Sequence, residues 1–381
     1  MRKGWEYKKL GEVCDITMGQ SPDGNSINEA NGVEFHQGKT CFGERFLGVS
    51  PLYSNAPTKL AEAHSVLLCV RAPVGYPNIT DRKICIGRGL CALYAKQEID
   101  NTFLFYSLLG KQAYFEKNAT GSTFKAISSK TVSNTTLSIP PKSTQLAIVS
   151  ELDKINELIR LKKEQLKDFD NLAQSLFYEM FGDPVENEKG WEVKKIGDLA
   201  LVKTGPFGSM LHKEDYICDG IPLVNPVHMK DFKIVPDLDF TISKEKASEL
   251  ENYLLKSNDV VFARRGDIGR CAIVSEAEQG FICGTGSLFV RFSKEIESIF
   301  IMYIIRCDSF SKHLISKAKG ATMLNINSNT IADLDIPLPP LSLQRLFAQR
   351  IEQIERENSE VQKSIKDLET LLASRMQYWF E

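Results

Sequence analysis

The sequence predicts an α+β protein made of one module written twice, each copy running into a long helix. Three observations carry this reading: a repeated opening, further echoes in the same order, and two heptad seams in register. "GWEYKKLGEVCDITMG" (4–19) and "GWEVKKIGDLALVKTG" (190–205) share seven of sixteen positions, namely Gly4/Gly190, Trp5/Trp191, Glu6/Glu192, Lys8/Lys194, Lys9/Lys195, Gly11/Gly197 and Gly19/Gly205. "VLLCVRAPVG" (66–75) then aligns with "VVFARRGDIG" (260–269) at an offset of 194, and Gly87/Gly89 with Gly284/Gly286 at 197. "ATGSTFKAISSKTV" (119–132) matches "AKGATMLNINSNTI" (318–331), and "LSIPPKSTQ" (137–145) matches "IPLPPLSLQ" (336–344), both at 199. The offset only grows, as loop insertions in two copies of one unit would make it.

Within each copy, short apolar runs such as "SVLLCV", "GLCALYA", "DVVFAR" and "SLFVRF" are bounded by Gly, Pro and Asn and read as strands. The amphipathic stretches 101–115 and 297–317 read as helices. Mixed short strands and a few helices make each copy an α+β unit. The Trp of each opener is expected to anchor the start of its module against that module's own core.

After Pro140-Pro141, apolar residues fall at Ile148, Leu152, Ile155, Ile159, Leu166, Phe169, Ala173, Leu176 and Met180. After Pro339-Pro340 they fall at Phe347, Ile351, Ile354, Val361, Ile365, Leu368 and Leu372. Steps of four and three are a heptad seam, and proline is tolerated in the first turn of a helix. Lys162 and Asn358 interrupt the seams, as residues that fix register do. The resulting boundaries are 1–141 for the first module, 142–181 for its helix, 182–189 for a Gly/Pro/acidic linker, 190–340 for the second module and 341–381 for its helix.

A chain of 381 residues, 43% hydrophobic and 25% charged, has the composition of a globular protein with two cores. No apolar run nears the roughly 18 residues of a membrane span, and "MRKGWEYKKL" lacks the apolar stretch of a signal peptide, so a cytoplasmic chain is expected. Nine cysteines without a CxxC pair and five scattered histidines predict reduced, buried thiols rather than disulfides or zinc. A formal charge of −2 means that any polyanion site must come from local asymmetry.

Motifs for catalysis are missing. There is no GxxxxGK[ST] phosphate loop, and the Pro-Pro pairs have the wrong neighbours for a base-flipping methyltransferase motif. Pro22-Asp23 with Asp81-Arg82-Lys83 imitates a nuclease metal set, but the second copy has no match. The chain reads as a binder. The stretches "KNATGSTFKAISSK" (117–130) and "KHLISKAKGATMLNINSN" (312–329) are lysine-bearing, rich in Ser, Thr and Asn, and free of acids at the same point of both copies. Such loops suit phosphate contacts through Lys and base edges through small polar groups. The candidate DNA-contacting residues are Arg71, Arg88, Lys117, Ser122, Thr123 and Lys125 in the first copy. In the second they are Arg264, Arg265, Arg270, Lys317, Lys319, Thr322, Asn325 and Asn327. "STFKAIS" and "ATMLNIN" keep a Gly/Thr/Ile frame and vary between, as two readers of different sequences should.

The repeated opener, the G-[SA]-T-x-x-x-I segment and the "PLPPLSLQ" start of the second helix together resemble the specificity subunits of type I restriction–modification systems. The first copy departs slightly, with "SIPPKSTQ" in place of the apolar form. The resemblance spans the whole chain. It implies two duplicated α/β target-recognition domains joined by two long antiparallel coiled-coil spacer helices. It also implies a bipartite double-stranded DNA target, two methyltransferase subunits and restriction translocase subunits as partners, and methyl donor and ATP held by those partners. A helix over 148–176 spans roughly 40 Å, or about 12 base pairs, so two modules on such a strut could approach one face of DNA. Competing readings are a self-contained restriction or modification enzyme and a coiled-coil scaffold without DNA contact.

Overall fold

The computed structural model describes residues 4–121, 125–207, 210–318 and 325–380. By contact, the chain divides into two units, Met1–Lys163 with Gln362–Glu381, and Glu164–Val361. The two long helices span Lys142–Phe181 and Leu341–Phe380, so each begins in one unit and ends in the other.

In the first unit, the strand Glu6–Lys9 zips antiparallel onto Thr136–Ile139 and closes the module. A four-stranded antiparallel sheet follows in the order Cys14–Met18, Leu90–Ala95, Val66–Cys69, Pro77–Ile79. Alternate side chains of one strand point to opposite faces. Val66 and Leu68, with Cys91 and Leu93, therefore enter a core shared with the helices. Leu67 and Cys69, with Leu90 and Ala92, enter a second core with Ile84 and Ile86. Burial on both faces explains the unbroken apolar run "VLLC". The second core is backed by a five-stranded sheet in which Val33–His36 runs parallel to Ile84–Ile86.

The second unit repeats this plan. Glu192–Lys195 pairs with Asp335–Leu338, and a four-stranded sheet runs Ala200–Thr204, Ser287–Phe292, Val260–Ala263, Cys271–Ile273. Ile221–Val224 runs parallel to Ile282–Cys283, matching the parallel pair of the first unit. The helical stretches are each broken once. Asn101–Leu109 and Gln112–Lys117 part at Gly110, where an added β-carbon would lie 2.7 Å from the Phe380 side chain. Ser298–Arg306 and Asp308–Lys317 part at Cys307, whose backbone is extended. Seven of the nine cysteines are buried as free thiols, Cys41 is half-buried and Cys218 is exposed.

All twelve seam residues named for the spacer helices, from Ile148 to Phe169 and Phe347 to Leu368, are buried or half-buried. Within the first unit the two helix segments run antiparallel, with Glu151 bonded to Arg375 and Trp379, and Lys163 3.1 Å from Glu369. Near its end the first long helix abandons the heptad. Ala173, Phe177 and Phe181 are buried at steps of four, while Leu176 and Met180 are only half-buried. Phe177 and Phe181 pack on Phe300 and Phe347 at ring distances of 4.8–5.9 Å, as part of the second module's core. Phe380 takes the same place beside Phe103 in the first unit, 5.6 Å away.

The openers serve these helix ends. Trp5 stacks on Trp379 at 6.3 Å, and the Trp191 indole N–H donates to the Phe181 carbonyl at 2.9 Å. Each Trp thus clasps the C-terminal end of a long helix, beyond the expected anchoring to its own module. The last opener glycine meets the glycine turn of the later echo. A β-carbon on Gly19 would lie 2.1 Å from the Gly87 carbonyl oxygen, and one on Gly205 would lie 2.0 Å from that of Gly284. Only glycine allows that approach.

Candidate nucleic-acid interface

Both modules bring the arginine-bearing turn and the lysine-bearing loop together by the same backbone bonds. In the first, Ile127 N–H donates to the Val70 carbonyl at 2.9 Å and Ala72 N–H to the Lys125 carbonyl at 3.0 Å, with Arg71 bridged to Ala126. In the second, Ile326 N–H donates to the Arg264 carbonyl at 2.9 Å, and Arg265 bridges Asn325. Ile127 and Ile326 are buried and fix the loops, which explains the shared Ile of the frame. Thr120 and Ala126 exchange two backbone bonds of 2.9 Å, which hold the two ends of the first loop together.

Arg71, Arg88, Lys117, Lys125, Arg265, Lys317 and Asn325 are exposed on these elements. Among the described residues, no carboxylate pairs with the six of these that are cations. Unpaired positive charge in a chain of net charge −2 is the local asymmetry that a phosphate backbone would complement. Arg264 is half-buried, and its Nε has no hydrogen-bond partner among the described residues. Burial, with the adjacent Arg265 charge adding to it, pulls the Arg264 guanidinium below its ordinary range. By backbone pairing, Arg264 replaces the buried Val70 of the first module, so the second module holds a cation at an otherwise apolar position.

Two of the sequence-derived residues have structural partners. Arg270 is bonded to Asp267 at 2.7 Å and to the Pro226 carbonyl at 3.2 Å. Asn327 caps the helix Ser328–Ala332, its side chain accepting from Thr330 N–H at 2.8 Å, as Ser128 accepts from Thr131 N–H in the first copy. Ser122, Thr123, Lys319 and Thr322 lie outside the described residues. The nuclease-like residues are otherwise engaged: Asp23 accepts from Asn25 N–H at 2.9 Å, Asp81 pairs with Arg82 at 2.7 Å, and Lys83 pairs with Glu62 at 2.6 Å.

A further wall of the first surface comes from the stretch after Val33–His36. Gln37, Gly38 and Lys39 face Arg71 and Arg88 across a cleft of about 180 Å³. Lys39 lies over the Tyr76 ring at 4.0 Å. These residues belong to no repeated motif. Their one signal in the sequence is the Gly87/Gly89 turn, because a β-carbon on Gly89 would sit 2.2 Å from the Gln37 carbonyl oxygen.

Comparison with known proteins places this architecture. The family described as "Type I restriction modification DNA specificity domain" matches residues 2–168 and again residues 188–370. The chain belongs to this family. The type I restriction enzyme MjaIX specificity subunit of Methanocaldococcus jannaschii is 23% identical over 91% of this chain and 85% of its own length. The MjaVIII specificity subunit of the same organism is 22% identical over 97% and 92%. A relative from the MjaX system of that organism reaches 38% identity, but over 45% of this chain and 41% of its own. Among solved structures, a chain from work on assembly and conformational transition of a type I system superposes with a TM-score of 0.68 at 19% identity, covering 100% of this chain and 98% of its own. The type I S subunit from M. genitalium gives a TM-score of 0.56 at 15% identity, covering 99% and 96%. These likenesses support the fold. The two modules are the two recognition domains of a DNA-specificity subunit, which is a non-catalytic component and not a self-contained enzyme.

Proposed function

We propose that each recognition domain reads one half of a bipartite double-stranded DNA site through the surface formed by its arginine turn and lysine loop. The observation that carries this is the same two-loop junction in both modules, rimmed in each by cations that have no carboxylate partner among the described residues. Arg71, Arg88, Lys117 and Lys125 take the first half-site, together with Ser122 and Thr123. Arg264, Arg265, Lys317 and Asn325 take the second, together with Lys319 and Thr322. Arg270 and Asn327 shape the second surface through the bonds they already make.

The spacer helices set the unread gap and dock two methyltransferase subunits, and restriction translocase subunits join the complete assembly. Methyl donor and ATP are held by those partners. The assembly works in the cytoplasm; among the described residues, no helix is long and apolar enough to cross a membrane.

The test is to sequence methylated sites in cells carrying the intact system. A split motif with a fixed gap is the expected outcome, and a continuous motif would sink the proposal. In a binding assay with the reconstituted complex, Arg71→Ala or Arg265→Ala should weaken binding across sequences. Each should lower the slope of log affinity against log salt by about 1, the signature of a lost phosphate contact.

A further inference from the structure

Backbone pairing places Gln37 and Asn225 at one structural position. His36 and Val224 each end the strand that runs parallel to the strand before the glycine turn. Their carbonyls accept the equivalent bonds, from Gly87 N–H at 2.8 Å and from Gly284 N–H at 2.9 Å. The next residue is Gln37 in one module and Asn225 in the other. Across the turn, Val70 N–H donates to the Gly89 carbonyl and Arg264 N–H to that of Gly286, at 2.9 and 3.0 Å. Each carboxamide therefore stands beside the glycine turn and the arginine-bearing segment of its module. Two independent loops of different sequence, "HQGKT" and "VNPVH", keep a carboxamide only at this point.

We propose that Gln37 and Asn225 are specificity-determining residues, each reading a base edge in its own half-site; this rests on the DNA-reading role proposed above. The two amides differ in what they can offer. Gln37 is exposed in the cleft with Arg71, Arg88 and Lys39, and among the described residues no hydrogen bond occupies its side chain. It presents a donor and an acceptor side by side, the pattern that fits N7 and the N6 amino group of adenine. Asn225 accepts from Gly286 N–H at 3.1 Å through Oδ1, so its amino group is the part of the amide left to offer. A lone donor suits an acceptor edge, guanine O6 and N7 or thymine O4. The neighbours diverge as well: Lys39 in the first module corresponds to the exposed Val227 in the second, where an apolar group suits a thymine methyl. The flanking arginines hold the phosphates, and the amides discriminate.

The experiment uses the chain reconstituted with its methyltransferase subunits and a panel of duplexes carrying each base at every position of the wild-type motif. Gln37→Ala should lose discrimination at a single A·T pair in one half-site by roughly 5- to 150-fold, the range for one bidentate contact. Gln37→Glu should shift preference there toward C·G, since a carboxylate accepts from the cytosine amino group. Asn225→Ala should change only the other half-site. Unchanged preference at every position in Gln37→Ala, or weakening that is uniform over all sequences, overturns the assignment. If the wild-type complex shows no preference among the duplexes, the DNA-reading proposal itself fails, which is a distinct result.

Discussion

Gln145 and Gln344 show how one side chain can explain a motif. Each is the last residue of the repeated "IPPKSTQ" and "LPPLSLQ", and each is fully buried. Gln145 donates to the carbonyls of Glu98 and Pro140 at 2.9 and 3.0 Å and accepts from Asp100 N–H at 2.8 Å. Gln344 repeats the pattern with Pro339 and Glu297 at 2.8 and 3.1 Å. The amide ties the start of the long helix to the start of the module's own helix. Gln145→Ala strands buried backbone groups and should cost about 1–3 kcal/mol, read as a lowered midpoint in thermal or urea unfolding. On the strand Val33–His36, Glu34 gives a pH signature. Burial acts to raise its pKa, but hydrogen bonds from Arg82, Ser50 N–H and His36 outweigh it and hold the carboxyl at about 2. A depressed native pKa stabilises fully above the ordinary carboxylate range, and the contribution is lost as pH falls toward 2. Unfolding followed from pH 5 to pH 2 should show this loss, and Glu34→Gln should flatten that part of the profile. At this scale the sequence was uneven. The glycines and tryptophans of the opener stood out because they repeat, whereas Gln37 and Asn225 sit in loops of unlike length and composition. Only backbone pairing aligns them.

Among the elements, the long helices were legible as heptads because their apolar residues recur at alternating steps of four and three. Their ends were harder to read. At Ala173, Phe177 and Phe181 the contacts are no longer with one partner helix but with a globular core, so the spacing changes from alternating fours and threes to fours. Helical breaks at Gly110 and Cys307 were hidden because buried apolar residues lie on both sides of each break. The consequence is testable. Phe177 is almost fully buried among Phe300, Tyr303 and Phe347. Phe177→Ala should cost about 3–5 kcal/mol, with amide protection falling across 190–361 and holding in 4–163. A fragment over 190–361 should be unstable, because it lacks the helix end that completes its core. A fragment over 164–361 should fold.

For the whole molecule, the repeat extends further than the modules. A recognition domain is completed by the start of one long helix and the end of the other, and Phe181 and Phe380 occupy equivalent places at an offset of 199. Helix length is then the chain's natural ruler. Adding a full heptad to both helices, near Lys162 and near Asn358, preserves the seam, because seven residues restore the same face of a 3.5-residue repeat. Each helix would grow by about 10 Å, or about three base pairs at roughly 3.4 Å each. Under the proposed gap-setting role, the methylated motif should keep both half-sites and widen its gap by about that amount. Adding four residues also lengthens the helices but shifts the seam as a stutter, so widening should come with weaker assembly. Methylated-site sequencing decides between them. A gap unchanged by the heptad insertion, with methylation intact, would mean that the helices do not measure the site.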